Sequence, residues 1–111
     1  MTSPLLSVCL VTYNQEAFIG KVLDGAVSQK TLFPFEIVIG EDNSTDRTRA
    51  ICQEYAERYP EKVRLLSREE KNLGLNLNML RTYHQCKGKY IAYLEGDDYW
   101  ITSDKLQKQV E

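Results

Sequence analysis

No apolar run in the chain approaches the roughly 20 residues needed to span a bilayer. The start, Met1-Thr2-Ser3-Pro4-Leu5-Leu6, lacks the basic head and long apolar stretch of a signal peptide. Both absences predict a cytoplasmic chain, with membrane association only through regions it does not contain. Excess positive charge is missing too: the formal net charge is −2 and the pI about 5.5. No global basic field draws in nucleic acid, so an anionic ligand must be held locally, by a metal, helix N-termini or a few cations. The three cysteines, Cys9, Cys52 and Cys86, are odd in number, widely spaced and each set in an apolar pattern. They read as buried free thiols rather than disulfides or a zinc site. The single histidine, His84, falls within a helical pattern away from the strand ends, as a helix-face residue rather than a base. No Gly-x-x-x-x-Gly-Lys-Ser/Thr run occurs, which excludes a phosphate-loop nucleotidase. Repeats, low-complexity tracts and linkers are absent as well, so the 111 residues read as one domain.

What is present is alternation. Ser7 to Thr12 is a short apolar run ending in polar residues, as a buried strand would be. Asn14 is placed to cap the helix that follows, where Phe18, Ile19, Val22, Leu23, Ala26 and Val27 form one apolar stripe. Phe35 to Gly40 reads as a second strand. The next segment, Glu41 to Asp46, is rich in capping residues, with Asn43 or Ser44 expected to cap a helix from near Thr45. Ile51, Cys52, Tyr55, Ala56 and Tyr59 make that helix's stripe, and Pro60 stops it. Val63 to Leu66 is a short third strand. Leu77, Met79, Leu80 and Tyr83 suggest the apolar side of a third helix, closed by Lys87-Gly88-Lys89. Tyr90 to Leu94 is a fourth strand, and a last helix is predicted from about Ser103. Strand and helix alternating at this period predict an α/β fold: a mostly parallel four-stranded sheet with helices on both faces. Because the sequence stops partway into a helix, it is expected to be an incomplete unit, with a sheet edge or helix face left open to self-association.

In an open parallel sheet, ligands bind beyond the carboxyl ends of the strands. The polar clusters fall there: Thr12-Tyr13-Asn14, Glu41-Asp42-Asn43, Ser67 to Asn72, and Glu95 to Asp98. Glu95, Asp97 and Asp98 lie so close that joint ionisation needs solvent or a cation. Carboxylates suit Mg²⁺ or Mn²⁺, which use one or two of them and complete their shell with phosphate and water. A solvated acidic turn before a helix accounts for the same residues. Asp42 stands out because its carboxylate can accept from a nucleobase N–H or from ribose hydroxyls. Arg68 and Lys71 are cations able to neutralise phosphate, or simply solvated ones. Tyr99 and Trp100 read as packing residues ahead of ligand-stacking ones.

These residues in this order resemble the family 2 glycosyltransferases of the Rossmann-like GT-A fold. The resemblance rests on Ser7 to Asn14, Glu36 to Asp46, Asn72-Leu73-Gly74, Lys87 to Ile91, and Glu95-Gly96-Asp97-Asp98-Tyr99-Trp100, which is similar to the Asp-x-Asp metal motif. It implies that residues 1–111 are the N-terminal nucleotide-sugar-binding part of such a domain, with the acceptor-binding half absent. Asp42 would then hold the base, most often uracil, and Thr12, Tyr13, Asn14 and Glu16 would line the nucleotide pocket with Lys71 and Asn72. Asp97 and Asp98 would handle the ribose and a Mn²⁺ or Mg²⁺ ion bridging the diphosphate. The implied reaction transfers a sugar from a nucleoside-diphosphate donor, most often a UDP-sugar, to a hydroxyl of a glycan or lipid-linked acceptor with inversion. The general base is expected beyond Glu111, so this chain alone is expected to be inactive. Family habit points to bacterial envelope polysaccharides. Glu95 and Glu41 depart from the family's usual aspartates, each adding a methylene. A non-catalytic nucleotide-binding module is the alternative. A response-regulator receiver is disfavoured, because its acidic pair follows the first strand and here the pair follows the second.

Overall fold

The computed structural model describes residues 3–98 and 104–110 of the chain. Along it run β1 (Leu6–Thr12), α1 (Ile19–Val27), β2 (Phe35–Glu41), α2 (Thr48–Arg58), β3 (Val63–Leu65), α3 (Leu75–His84), β4 (Tyr90–Glu95) and α4 (Lys105–Val110). The strands form one parallel sheet in the order β3-β2-β1-β4. β1 is buried along its whole length, as befits a central parallel strand covered on both faces.

Side chains alternate across a strand, and that alternation assigns the two faces. Leu6, Val8 and Leu10 of β1 share a core with Ile37 and Ile39 of β2, Ala92 and Leu94 of β4, and the α1 residues Ile19, Val22, Leu23 and Ala26. Cys52 and Tyr55 of α2 and Leu106 of α4 close the same core. Burying such side chains supplies roughly 1.5–3 kcal/mol each, the main force holding this layer to the sheet.

On the opposite face α3 packs across β1 and β2, and it does so with polar side chains. The predicted stripe of Leu77, Leu80 and Tyr83 is instead exposed by 58, 51 and 52%, with Met79 also at the surface. Asn78 and Thr82 are the residues that α3 buries. The reason is close approach. A Cβ on Gly40 would lie 1.8 Å from Thr82 Oγ1, so the helix backbone sits where a leucine could not fit beneath it. Hydrogen bonds replace apolar contact: Asn78 Nδ2 donates to Gly40 O at 2.7 Å, and the Arg81 guanidinium to Glu41 O at 3.2 Å.

Two expected caps also differ. Asn14 does not cap α1, whose first residue is Ile19. It takes φ 49° and its side-chain oxygen accepts the N–H of Thr45. At α2 neither Asn43 nor Ser44 caps. Asp46 accepts the N–H of Thr48 at 2.9 Å, closing the helix start three residues later than expected. Among the described residues no helix is long and apolar enough to cross a membrane.

Candidate functional site

The sheet order places its topological switch point between β1 and β4, since successive strands β2 and β3 are added to one side of β1 and β4 to the other. At such a switch point the loops leaving adjacent strands diverge and open a crevice. The register makes the three carboxyl ends flush: Thr12 of β1 stands beside Glu41 of β2, and Val11 beside Glu95 of β4. A cavity of about 390 Å³ fills the crevice. Its walls come from Val11, Thr12, Tyr13 and Gln15 after β1, Asp42 after β2, Asn72, Gly74, Leu75 and Asn78 at the start of α3, and Glu95 of β4. A larger depression of about 680 Å³ lies at the opposite strand ends, among Pro4, Pro34, Pro60 and the Arg64–Glu36 ion pair. Prolines and a satisfied ion pair offer a ligand few convergent groups, so the carboxyl-end crevice is the functional candidate.

Asp42 is buried at the crevice wall, and both of its oxygens are engaged. Oδ1 accepts the N–H of Leu73 at 2.7 Å, and Oδ2 that of Gly74 at 2.9 Å. Asn72 returns the contact, its Nδ2 donating to Asp42 O. The carboxylate therefore first orders the turn into α3, at the end of that helix where negative charge is favoured. Each carboxylate oxygen keeps acceptor capacity for a second donor.

The β1 and β2 loops are stitched together beneath the crevice. The N–H groups of Asn14, Gln15 and Glu16 donate to Ser44, Thr48 and Asp46 respectively. Arg68 donates to Ser44 O, so it ties down the same loop. Glu41, fully buried, faces α2 rather than the cavity. Its Oε1 pairs with Arg49 at 3.3 Å and its Oε2 accepts the N–H of Ser44 at 2.6 Å. The added methylene of Glu41 is spent on this inward reach.

Of the residues singled out from the sequence, Thr12, Tyr13, Asp42 and Asn72 line the cavity. The Asn14 side chain turns to the neighbouring loop, Glu16 is exposed with its backbone N–H on Asp46, and Lys71 is exposed outside the walls. Asp97 and Asp98 are exposed just past Glu95, in a turn closed by Asp98 N–H donating to Glu95 O. Among the described residues no group of three or more metal-type side chains is assembled in advance. Two solvent-facing carboxylates still suit a hard divalent ion, whose remaining ligands would be phosphate oxygens and water. Tyr99 and Trp100 lie outside the described residues.

Gly74, the last residue of the Asn72-Leu73-Gly74 motif, also lines the cavity, as do Gln15, Leu75 and Asn78. Gln15 falls within the Thr12 to Glu16 stretch that the resemblance assigns to the pocket, whereas nothing in the sequence singled out Leu75 or Asn78. Gln15 Oε1 accepts from Thr12 Oγ1 at 2.7 Å, and both side chains press on Gly96, where a Cβ would sit 2.3 Å from each. Gly96 is thus a packing glycine that docks the acidic turn onto β1. Tyr93 Oη donates to Glu95 Oε1 at 3.2 Å. Burial, then the Glu95 charge and this bond, push the tyrosine hydroxyl up to about 12.

A four-stranded parallel α/β unit with an acid-lined crevice at its switch point defines a Rossmann-like class of domain. The model of glycosyl transferase family 2 matches residues 7–111, and the chain belongs to that family. Its architecture is that of the GT-A glycosyltransferases. The mannosyltransferase PcManGT of Pyrobaculum calidifontis, solved with GDP-Man and Mn²⁺, superposes with a TM-score of 0.82 at 25% identity, over 97% of this chain and 32% of that one. S. aureus TarS residues 1–349, solved with UDP-GlcNAc, gives 0.77 at 32% identity, over 95% of this chain and 30% of that one. An uncharacterized protein of Mycobacterium bovis is 43% identical over 106 residues, 96% of this chain. The chain spans 30% of that relative's length.

Proposed function

We propose that the crevice binds a nucleoside-diphosphate sugar, with a UDP-sugar the first choice, and that the domain serves as the donor half of an inverting glycosyltransferase. The observation that carries this reading is the flush alignment of β1, β2 and β4, which brings Asp42, Thr12-Tyr13 and Glu95 around one cavity. Asp42 uses its remaining acceptor capacity to take a nucleobase N–H, while Tyr13, half exposed at the rim, offers a ring for the base to lie on. The diphosphate extends toward β4, where Asp97 and Asp98 would hold Mn²⁺ or Mg²⁺. When bound, the cation supplies Lewis-acid stabilisation of charge on the departing nucleoside diphosphate. The complexes of the similar TarS with UDP-GlcNAc and of PcManGT with GDP-Man and Mn²⁺ support both the donor class and the cation. Transfer to a glycan or lipid-linked acceptor, and envelope polysaccharide as the product, are carried over from family resemblance. We place the general base in the longer part of such proteins, so the 111 residues bind donor without transferring it.

Calorimetric titration with UDP, GDP and TDP, with and without Mn²⁺, tests the reading. Metal-dependent binding of at least one nucleotide is expected, weakened by Asp98→Asn. Silence with all three nucleotides sinks the proposal, and unchanged affinity in the variant removes Asp98 from the cation site.

A further inference from the structure

The first residues of α3 line the crevice at the carboxyl ends of the strands, and the chain leaving the helix reaches Ser7 near the start of β1. The helix therefore descends antiparallel to β1. Thr82 stands level with Gly40, whose Cβ would lie 1.8 Å from Thr82 Oγ1, and Gly40 is the register partner of Val11. Cys86 follows one turn below, a drop of about 5–6 Å. Its N–H donates to Tyr83 O at 3.0 Å and its Sγ to Thr82 O at 3.4 Å, which hold it in that turn. On β1, Cys9 lies two residues below Val11 on the same face, a drop of about 6.6 Å. The two descents match, so Cys86 arrives beside Cys9. Just below, Gly88 N–H donates to Ser7 Oγ at 2.8 Å and Lys87 N–H to Glu36 Oε2 at 2.7 Å, clamping the corner onto the sheet. Packing on Gly40 through Asn78 and Thr82 also brings the backbone of α3 closer to the sheet than a layer of leucines would allow. Two short side chains need that closeness, because a disulfide spans Cα atoms only about 4.4–6.8 Å apart.

We infer that Cys9 and Cys86 are a redox pair, which a small-molecule disulfide such as glutathione disulfide oxidises to a bond pinning the corner between α3 and β4 to the central strand. Both thiols are free in the structure, Cys9 buried and Cys86 half-buried. They differ as attacking and resolving sulfurs must. Hydrogen bonding from the Cys9 thiol, aided by the Ser7 hydroxyl and the Arg64 guanidinium, holds Cys86 below the usual thiol value against burial and the Glu36 charge. Cys9 is pushed up by its bond to Cys86, by burial and by the charge of the Cys86 thiolate. Cys86 is thus the attacking sulfur. Its thiolate displaces one thiolate from the small disulfide, leaving a mixed disulfide on Cys86. The Cys9 sulfur gives up its proton, attacks Cys86 Sγ and displaces the second small thiol. Two electrons pass from the pair to the small disulfide, and the two protein protons end on the two released thiols. Cys52 is the internal control. It lies in the core on the other face of the sheet, where burial, then the Glu41 charge, push it up to about 12.

The test adds glutathione disulfide to the whole 111-residue chain and counts free thiols after unfolding in denaturant. A fall from three to one per chain is expected, with Cys9 and Cys86 joined in one cross-linked peptide and Cys52 free. Dithiothreitol should restore all three. Cys9→Ser should stop at the mixed disulfide, carrying one glutathione on Cys86, and Cys86→Ser should not react. If Cys9→Ser fails to fold, the thiol count and peptide map of the parent decide. The oxidised chain should keep its far-UV circular dichroism spectrum and melt at a higher temperature, because the bond closes a long loop of the unfolded chain. Three thiols still free after the treatment overturn the inference. So does a bond through Cys52 or between two chains, or a parent that keeps glutathione on Cys86 without closing. A lower melting temperature on oxidation would show that the native spacing does not fit the bond, and overturns it as well.

Discussion

Oδ2 of Asp42, one residue past β2, accepts the backbone N–H of Gly74 at 2.9 Å across a separation of 32 positions. With the parallel bond from Leu73, it makes one carboxylate both the wall of the crevice and the anchor of the turn into α3. Binding geometry and local stability are thereby coupled at a single side chain.

Asp42→Asn tests the coupling. An amide keeps one acceptor oxygen and turns an NH₂ toward a backbone donor, leaving a buried N–H unmatched. Chemical denaturation should report a loss of about 1–3 kcal/mol. Nucleotide affinity in the calorimeter should fall with it. A variant as stable as the parent would show that the Leu73 and Gly74 bonds contribute nothing net.

Gly96→Ala addresses the docking of the acidic turn. The new methyl would meet Thr12 Oγ1, Gln15 Oε1 and Thr12 Cβ at 2.3–2.6 Å, and the β-branched Thr12 has little freedom to withdraw. Overpacking of this kind costs about 1–3 kcal/mol. Affinity for the nucleotide with Mn²⁺ should drop more than affinity for the nucleotide alone, because Glu95, Asp97 and Asp98 move while Asp42 does not. Equal losses in the two titrations would argue against a cation site on that turn.

Arg49→Leu strands the buried Glu41 carboxylate, whose side chain is wholly inaccessible. Removing one partner of a buried pair costs about 3–5 kcal/mol. A lower thermal midpoint is expected, and Arg49→Leu combined with Glu41→Leu should recover part of it. If the single variant matched the parent, the pair would not be holding α2 to β2.

Glu36 gives the pH dependence. Burial alone would raise its carboxyl, but the Ser7 hydroxyl, the Lys87 N–H and the Arg64 guanidinium outweigh that and hold it below the usual value of 4.5. A group lowered on folding stabilises fully above its unfolded value. That stabilisation is lost as pH falls through the lower, folded one. Glu36→Gln should therefore lower stability by about 1.5–3 kcal/mol near neutral pH, the scale of bonds to a charged group. The gap between variant and parent should close in acid below pH 4.5, as read from denaturant midpoints across a pH series. A gap independent of pH would assign the loss to packing instead of charge.

The strands were legible because β1 and β2 are apolar runs bounded by polar residues, and burial on both faces of a parallel sheet demands such runs. α1 and α2 were legible for a related reason: each buries a stripe of large side chains, and the stripe has helical period. α3 was legible as a helix but not in its orientation. Its leucines suggested the buried side, whereas Asn78 and Thr82 occupy it, because Gly40 admits the backbone too closely for large side chains. The capping residues show the same division. Asn14, Asn43 and Ser44 have the right chemistry for helix starts, yet loop-to-loop bonds across about 30 positions claim Asn14 and Ser44.

What the sequence determined by itself was the alternation of strands and helices and the placing of acids at strand ends, since both follow from period and from local backbone preference. The tertiary structure alone decided which of those residues share a wall. Register between strands distant in sequence set Asp42, Thr12 and Glu95 around one cavity, and brought in Asn78, which no motif marked. Only the fold could turn Glu41 inward to Arg49, because that depends on what lies beside a residue in space and not along the chain.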